Sequence, residues 1–233
     1  MRRFDELSNE GPSIPDGTIT MGERETRPPV ILSFVFDWAN LVTLTGLACG
    51  VLAIYFALSK NFPAAIIAML WAVLMDWFDG VVARKMVGRS ESYKLIGAQM
   101  DSLVDLVTSA TGPAILLLSV GNFSPWYYPG ALAIVMAGVL RLSYFNVFGV
   151  DSDGKYAGLT IDNSPLVMGS VFLLQSFLSS AVFAGVLYAT ILVMAFLHVA
   201  PFRRAKVGRN WYYGVTAYVI ILTAVYSYRL LSG

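Results

Sequence analysis

Four aspartates with helical spacing fall within one short stretch of the sequence, "MDWFDGVVARKMVGRSESYKLIGAQMDSLVD". Asp76 and Asp79 are three residues apart, and Asp101 and Asp105 are four apart, so each pair lies on one face of an α-helix. A carboxylate close to hydrocarbon is unfavourable unless it is paired or solvated. Divalent cations that prefer oxygen ligands would neutralise the four acids, and two such ions can clamp a phosphoryl group. The spacing therefore indicates a metal-dependent site for a phosphorylated ligand.

The composition shows what kind of elements must position these acids. Of 233 residues, 57% are hydrophobic and 13% charged, and the mean hydropathy is +0.65. Soluble domains carry about 25% charged residues, so this composition favours an integral membrane protein. The net charge of +1 gives no reason to expect a nucleic-acid partner, and a single cysteine excludes an internal disulfide.

Apolar stretches long enough to approach the roughly 20 residues of a membrane helix recur along the chain. The fifth is short and could merge with the sixth, so the predicted count is six or seven. Since irregular backbone cannot cross lipid, the sequence predicts an all-α integral membrane protein, a bundle of six to seven transmembrane helices. The stretches are 33–59, 64–85, 98–120, 127–148, 165–179, 182–200 and 212–231.

Basic residues predict the orientation of the bundle. They cluster after the second and sixth apolar stretches, and cytoplasmic loops are the ones enriched in Lys and Arg. We therefore expect the polar site near the cytoplasmic face, at the inner membrane if the cell is bacterial. Residues 1–30 are polar and are predicted to form a flexible cytoplasmic arm, while 31–233 form one membrane domain. The basic residues are Arg84, Lys85, Arg89 and Lys94, then Arg203, Arg204, Lys206 and Arg209.

The segment "DWFDGVVAR…GAQMDSLVD" resembles the signature of the CDP-alcohol phosphatidyltransferase family. That signature is D-x-x-D-G-x-x-A-R, a spacer, and G-x-x-x-D-x-x-x-D. The spacer between Arg84 and Gly97, "KMVGRSESYKLI", is twelve residues and longer than usual for the family. All fixed positions of the signature are present: Asp76, Asp79, Gly80, Ala83, Arg84, Gly97, Asp101 and Asp105.

The resemblance implies displacement of CMP from a CDP-linked lipid, such as CDP-diacylglycerol, by a small alcohol. It implies two divalent ions, Mg²⁺ or Mn²⁺, one held by Asp76, Asp79 and Asp101 and the other by Asp76, Asp101 and Asp105. Asp105 is also the implied general base. Membrane lipids and a second copy of the chain, in a homodimer, are implied partners. The implied contacts to the nucleotide and CDP-lipid are Asn40, Thr43, Asp79, Gly80, Ala83, Arg84 and Gly97.

The acceptor alcohol is predicted from two further segments. "RLSYFN" and "YAGLTIDNSP" resemble segments of the phosphatidylserine synthases of this family, which favours L-serine. Ser143 and Tyr144 replace Ala and Arg of that pattern, and Thr160 and Asp162 replace two prolines. An arginine inside a membrane helix is a candidate functional residue, so the expected acceptor contacts are Arg141, Tyr144 and Asn146.

Other acceptors and other functions stay open at this point. Choline would use aromatic faces such as those of Tyr144, Phe145, Phe148 and Tyr156, and inositol phosphate or glycerol phosphate could pair with Arg141. A divalent cation transporter is a different class of protein. The acids are expected near one face of the membrane rather than at its midplane, and the other half of the sequence contains no matching site, which argues against a transporter. A scaffold whose aspartates only pair with arginines is a third possibility.

Overall fold

The computed structural model describes residues 30–149, 153–205 and 209–232. The predicted arm, 1–30, lies outside these ranges except for Val30. The described part is predominantly helical, and a single pair of short strands occurs within it. The helices are α1 (Trp38–Leu58), α2 (Phe62–Lys85), α3 (Glu91–Asp105), α4 (Gly112–Val120), α5 (Tyr128–Phe148), α6 (Asn163–Val171), α7 (Ser180–Val199) and α8 (Arg209–Ser232).

Side-chain caps fix where the first two helices begin. The Asp37 carboxylate accepts the Asn40 backbone N–H at 3.1 Å and starts α1. Asn61 accepts the Ala64 N–H at 3.3 Å at the start of α2, where Pro63 occupies the first turn. Both caps satisfy amide groups that would otherwise lack partners at a helix start. The helix that carries Asp76 and Asp79 is therefore anchored at its far end.

Within the described residues, six helical segments are long and apolar enough to cross a membrane. One of them is the continuous segment Glu91–Val120, in which a π-helix, Leu106–Thr111, joins α3 to α4. The predicted fifth stretch, 165–179, instead forms the nine-residue α6 and a 3₁₀-helix, Phe172–Ser176. The predicted count of six or seven is thus six by length and composition.

This short fifth segment nevertheless connects the two ends of the bundle. At its start, Ser164 Oγ lies 2.8 Å from His198 Nε2, at the end of α7. At its other end, the Phe172 ring packs against Phe62 and Phe183, with centroids 5.8 and 5.0 Å apart, where α2 and α7 begin. The chain therefore returns to the opposite end before α7, so α5 and α7 finish on the same side.

Two strands tie these two helix ends together. β1 (Lys155–Ala157) follows α5 and pairs antiparallel with β2 (Arg203–Ala205), which follows α7. Gly158 continues from β1 with φ +66°, and its N–H donates to the Phe202 carbonyl at 2.9 Å. A Cβ at this position would lie 2.4 Å from the His198 carbonyl oxygen, so only glycine fits. The segment that leads to Asp162 is held against the end of α7.

The start of α3 differs from the sequence prediction. The third apolar stretch was expected from residue 98, but the helix begins at Glu91, and Met86–Ser90 alone connect it to α2. The polar residues 91–97 extend the helix beyond its apolar part, since helical hydrogen bonding does not require apolar side chains. Most of the long spacer is therefore helix, which rigidly supports Gly97 and Asp101.

Close packing of α1 holds the carboxylate-bearing helices in register. α1 packs mainly on α2, and it also contacts α3 and the π-helix. A Cβ at Gly50 would approach Thr108 Cγ2 to 2.4 Å, so the missing side chain lets α1 and the π-helix touch. The buried core below the site includes Leu70, Leu116 and Ile134.

Candidate active site

The four aspartates of α2 and α3 converge as predicted. Oxygens of Asp76, Asp79 and Asp101 lie within 4.8 Å of one another, and those of Asp76, Asp105 and Asp162 form a second such group. Asp76 belongs to both groups. The first group matches the ligand set that the resemblance implied for one ion, whereas the second contains Asp162 where Asp101 was implied.

The burial of the cluster fits a bound cation. Asp105 is only 9% exposed, and its Oδ1 atom has no hydrogen-bond partner among the described residues. Asp79 is 8% exposed and accepts a hydrogen bond from the Thr43 hydroxyl. A buried carboxylate oxygen without a partner carries a large desolvation penalty. Because hard divalent cations take carboxylate oxygens, the residues present fit such ions.

Asp162 is a site residue that the sequence reasoning missed. It is the N-cap residue of α6 and brings a fifth carboxylate to the cluster. Burial raises the pKa of Asp162 above its ordinary value, while a backbone N–H, the Trp77 indole and the Arg141 guanidinium act in the opposite direction. In the sequence, the one indication of this role was that Asp162 occupies a position where the similar segment of phosphatidylserine synthases has proline.

A cavity of about 210 Å³ opens beside Asp79 and Asp101, between α1, α2 and α3. Its lining includes small residues, Gly80, Ala83 and Gly97 among them, which leave room for a ligand against the helices. Arg84 lines a neighbouring cavity of about 320 Å³, together with Asp76, Asp162 and Arg204. The other residues predicted to contact the CDP-lipid all line the first cavity: Asn40, Thr43, Asp79, Gly80, Ala83 and Gly97.

Arg89, from the long spacer, closes one side of this 210 Å³ cavity. Its guanidinium donates to both carboxylate oxygens of Asp37 at 2.9 Å and to Asn40 Oδ1 at 2.7 Å. Asn40 in turn donates to the Phe34 carbonyl at 2.9 Å, so its amide is fixed from both sides. The side chains of Arg89 and Asp37 are 9% and 4% exposed. The spacer therefore has a role that the sequence did not show, which is to orient Asn40.

Comparison with known families places these residues in context. The family model for CDP-alcohol phosphatidyltransferases matches residues 36–200, which include the whole acid cluster. The chain belongs to the CDP-alcohol phosphatidyltransferase family. Family membership agrees with the resemblance inferred from the aspartate signature.

Curated relatives within this phosphatidyltransferase family have related names. Archaetidylserine synthase of Methanothermobacter thermautotrophicus is 36% identical over 66% of this chain and 65% of its own length. CDP-diacylglycerol–serine O-phosphatidyltransferase of Bacillus subtilis is 34% identical over 46% of this chain and 59% of its own length. The protein of that name from Mycobacterium bovis is 32% identical over 57% of this chain and 46% of its own length. The chain therefore spans less than two thirds of each of these relatives.

On the other side of the phosphatidyltransferase signature, a cavity of about 190 Å³ joins the acids to α5. Arg141 lines it together with Asp105 and Asp162, and Arg141 is 7% exposed. Its Nε donates to the Leu159 carbonyl at 3.3 Å, and its guanidinium carbon lies 5.4 Å from the centre of the Phe145 ring. Arg141 makes no ion pair with an acid among the described residues. A buried cation therefore faces the carboxylates across this cavity.

The two other expected acceptor contacts lie outside this cavity. Tyr144 is 50% exposed and packs on Phe148 with ring centroids 4.7 Å apart, lining separate cavities with Lys155 and His198. Asn146 is exposed, and its Oδ1 accepts from Ser102 Oγ at 3.0 Å. Of the three expected acceptor contacts, only Arg141 lines the cavity beside Asp105.

Because the resemblance assigns Gly97 to the contacts with a CDP-linked lipid, Gly97→Ala is expected to weaken binding of that lipid about tenfold. A Cβ there would lie 2.7 Å from Arg89 Nη2 and 2.9 Å from Asn40 Oδ1, so both groups must shift out of the cavity wall. The lost charge-assisted hydrogen bond accounts for a loss of this size. The KM for the CDP-lipid in CMP release measures it. Gly185→Ala on α7, where nothing lies within 4 Å, is the matched control; equal KM values in both variants would contradict the role of this wall.

Proposed function

We propose that the protein transfers a phosphatidyl-type group from a CDP-linked lipid to the hydroxyl of L-serine and releases CMP. The observation that carries the proposal is the position of Asp105, which belongs to the acid cluster and also lines the cavity that contains Arg141. Its buried Oδ1 atom has no hydrogen-bond partner among the described residues. Family membership supports the reaction class, and the printed names of the relatives support serine. The lipid is diacylglycerol-based or ether-based.

In the proposed reaction, Asp105 acts as the base for the acceptor hydroxyl. The acceptor hydroxyl oxygen attacks the lipid-linked phosphorus and forms the new P–O bond. The bond between that phosphorus and the CMP phosphate oxygen breaks, and CMP leaves with the electron pair. Asp105 takes the proton of the hydroxyl. A carboxylate is a weak base, so it depends on being held next to the acceptor.

The acids of α2 and α3 would hold two divalent ions in this proposal. Asp76, Asp79 and Asp101 would hold one, and Asp76, Asp101 and Asp105 the other. Such ions, when bound, neutralise the pyrophosphate and stabilise the departing CMP phosphate. Arg84 and Arg204 line the adjoining cavity and would add positive charge near the phosphates. Bound ions and a pyrophosphate would explain why acids of the cluster and these two arginines line the same cavity.

The environment of the enzyme is also part of the proposal. We infer that the end of the bundle with the acid cluster faces the cytoplasm, because the basic connections after α2 and α7 lie at that end. The implied homodimer remains a prediction. The match to the phosphatidyltransferase family argues against a cation transporter. The Asp105 oxygen without a hydrogen-bond partner argues against a scaffold, in which the aspartates would pair with arginines.

An acceptor panel tests the proposed function. Purified protein with CDP-diacylglycerol and Mn²⁺ or Mg²⁺ is offered L-serine, choline, inositol phosphate and glycerol 3-phosphate, and CMP release is measured. We expect release that depends on L-serine. Faster CMP release with another alcohol would show that this alcohol, and not serine, is the acceptor. No CMP release with any acceptor would refute the transferase activity.

Arg141→Ala is expected to raise the KM for L-serine roughly 10- to 100-fold while changing the KM for the CDP-lipid less than threefold. The reason is loss of a charge-assisted hydrogen bond to the serine carboxylate. Arg229→Ala is the control, because Arg229 donates to the Phe172 and Leu173 carbonyls at the other end of the bundle. Equal increases in both KM values for Arg141→Ala would show that Arg141 is structural.

A further inference from the structure

The proposed reaction assigns the metal ligands and the base to the four signature acids and gives no role to the fifth carboxylate, Asp162, whose oxygens lie near those of Asp76 and Asp105. We infer that Asp162 binds the ammonium group of an α-amino acid acceptor and so selects such acceptors over alcohols that lack an amino group. This inference rests on the proposed transferase function and names the chemistry that recognises its acceptor.

Asp162 comes from a part of the fold that is separate from α2 and α3. It immediately precedes α6 and follows the segment that β1, β2 and Gly158 hold against the end of α7. The cluster acids that belong to the family signature all come from α2 and α3. Asp162 can therefore take part in acceptor selection without altering the helices that bind the CDP-lipid.

The distances suit an amino acid whose hydroxyl reacts at Asp105. Carboxylate oxygens of Asp162 and Asp105 lie within 4.8 Å of each other, in one cavity of about 190 Å³. In L-serine the hydroxyl and the ammonium are on adjacent carbons. An acceptor that presents its hydroxyl to Asp105 can thus donate an ammonium N–H to Asp162. The volume is below the roughly 300–1,000 Å³ of pockets for drug-sized ligands, which suits an acceptor of a few heavy atoms.

The charges of this cavity complement a zwitterion. Asp162 offers a negative group and the buried Arg141 a positive one, so an ammonium and a carboxylate can both be paired. Inositol phosphate or glycerol phosphate would bring negative charge toward Asp162. Choline has no N–H to donate to Asp162 and no carboxylate for Arg141. The pair of residues therefore disfavours these alternatives as well as favouring serine.

The test compares L-serine with 3-hydroxypropionate, which is the same molecule without its amino group. For the Asp162→Asn variant, we expect the ratio of kcat/KM for L-serine to that for 3-hydroxypropionate to fall about tenfold or more, the effect of losing a charged hydrogen-bond partner. Asp153→Asn, an exposed acid in the same connection, is the matched control and should keep the wild-type ratio. Asp162→Ser supplies a second uncharged variant, and both replacements are good N-cap residues.

Other outcomes separate this inference from rival roles. If Asp162 is instead a metal ligand, a calorimetric Mn²⁺ titration of Asp162→Asn will lose a binding site and both acceptors will slow equally, which overturns the inference. An unchanged acceptor ratio in two folded variants, as judged by thermal unfolding, also overturns it while leaving the transferase function intact. If wild-type protein releases no CMP with any acceptor, the proposed function itself fails.

Discussion

Asp105→Asn is expected to lower kcat for CMP release by roughly 10²–10⁴-fold, the contribution typical of a general base. The substitution keeps the shape of the side chain, but an amide cannot take the hydroxyl proton. The Oδ1 atom of Asp105 is buried and has no hydrogen-bond partner among the described residues. The variant should retain part of its affinity for the CDP-lipid, because other residues line the 210 Å³ cavity, whereas the proposed second ion would lose one ligand.

Steady-state CMP release and equilibrium binding of the CDP-lipid, measured on the same preparation, test this expectation. Thermal unfolding in the absence of metal gives an independent check on folding. Removing one of several neighbouring negative charges should leave the metal-free Asp105→Asn variant at least as stable as wild type. Asp153→Asn again controls for loss of an acid. Turnover within threefold of wild type would remove Asp105 from the role of base.

Chelation of divalent metal is expected to abolish CMP release, and Mn²⁺ or Mg²⁺ should restore it. Asp76 and Asp79 should respond differently in a Mn²⁺ titration, because Asp76 belongs to both compact groups of acids and Asp79 to only one. Wild type should bind two ions. We expect Asp79→Asn to lose tight binding of one ion and Asp76→Asn to weaken both. Each variant should release CMP at least about 10²-fold more slowly, the range reported for removal of a polarising group.

Calorimetry in detergent solution measures the number of ions and their affinities. A wild-type protein that binds a single ion would contradict the two-metal arrangement while leaving the acid cluster as a metal site. Identical titrations of the Asp76→Asn and Asp79→Asn variants would show that Asp76 is not shared. Activity that persists after exhaustive chelation would exclude a metal role for these carboxylates.

The acid pairs could be predicted because the information is local. Asp76 and Asp79 share a helix face through three-residue spacing, and Asp101 and Asp105 through four-residue spacing, so periodicity alone aligns each pair. The helices long and apolar enough to cross a membrane could also be predicted, because the hydrophobic content of each stretch is local information. The expected nucleotide contacts come from the resemblance, and the 210 Å³ cavity brings together all of these residues but Arg84.

Residues that act through tertiary contacts could not be predicted in this way. Arg89 meets Asp37 across 52 residues of sequence, and no pattern around either residue indicates the pair. Asp162 reaches Asp76 and Asp105 only because the β1–β2 pair and α6 hold its segment beside α2 and α3. The start of α3 was also placed too late, since apolar content marks the part of a helix in lipid rather than the end of its hydrogen bonding.

The π-helix immediately after Asp105 separates two tasks that a uniform helix would combine. Each residue of an α-helix advances the side chains by about 100°, so adding or removing one residue rotates everything beyond it. The wider turns of Leu106–Thr111 absorb such an added residue, as π-bulges near functional sites commonly do. The orientation of the carboxylates on α3 is thereby set independently of the face that α4 packs into the bundle. The π-helix therefore gives the face of α3 that carries Asp101 and Asp105 and the face of α4 that packs into the bundle a relative rotation that a continuous α-helix would not give.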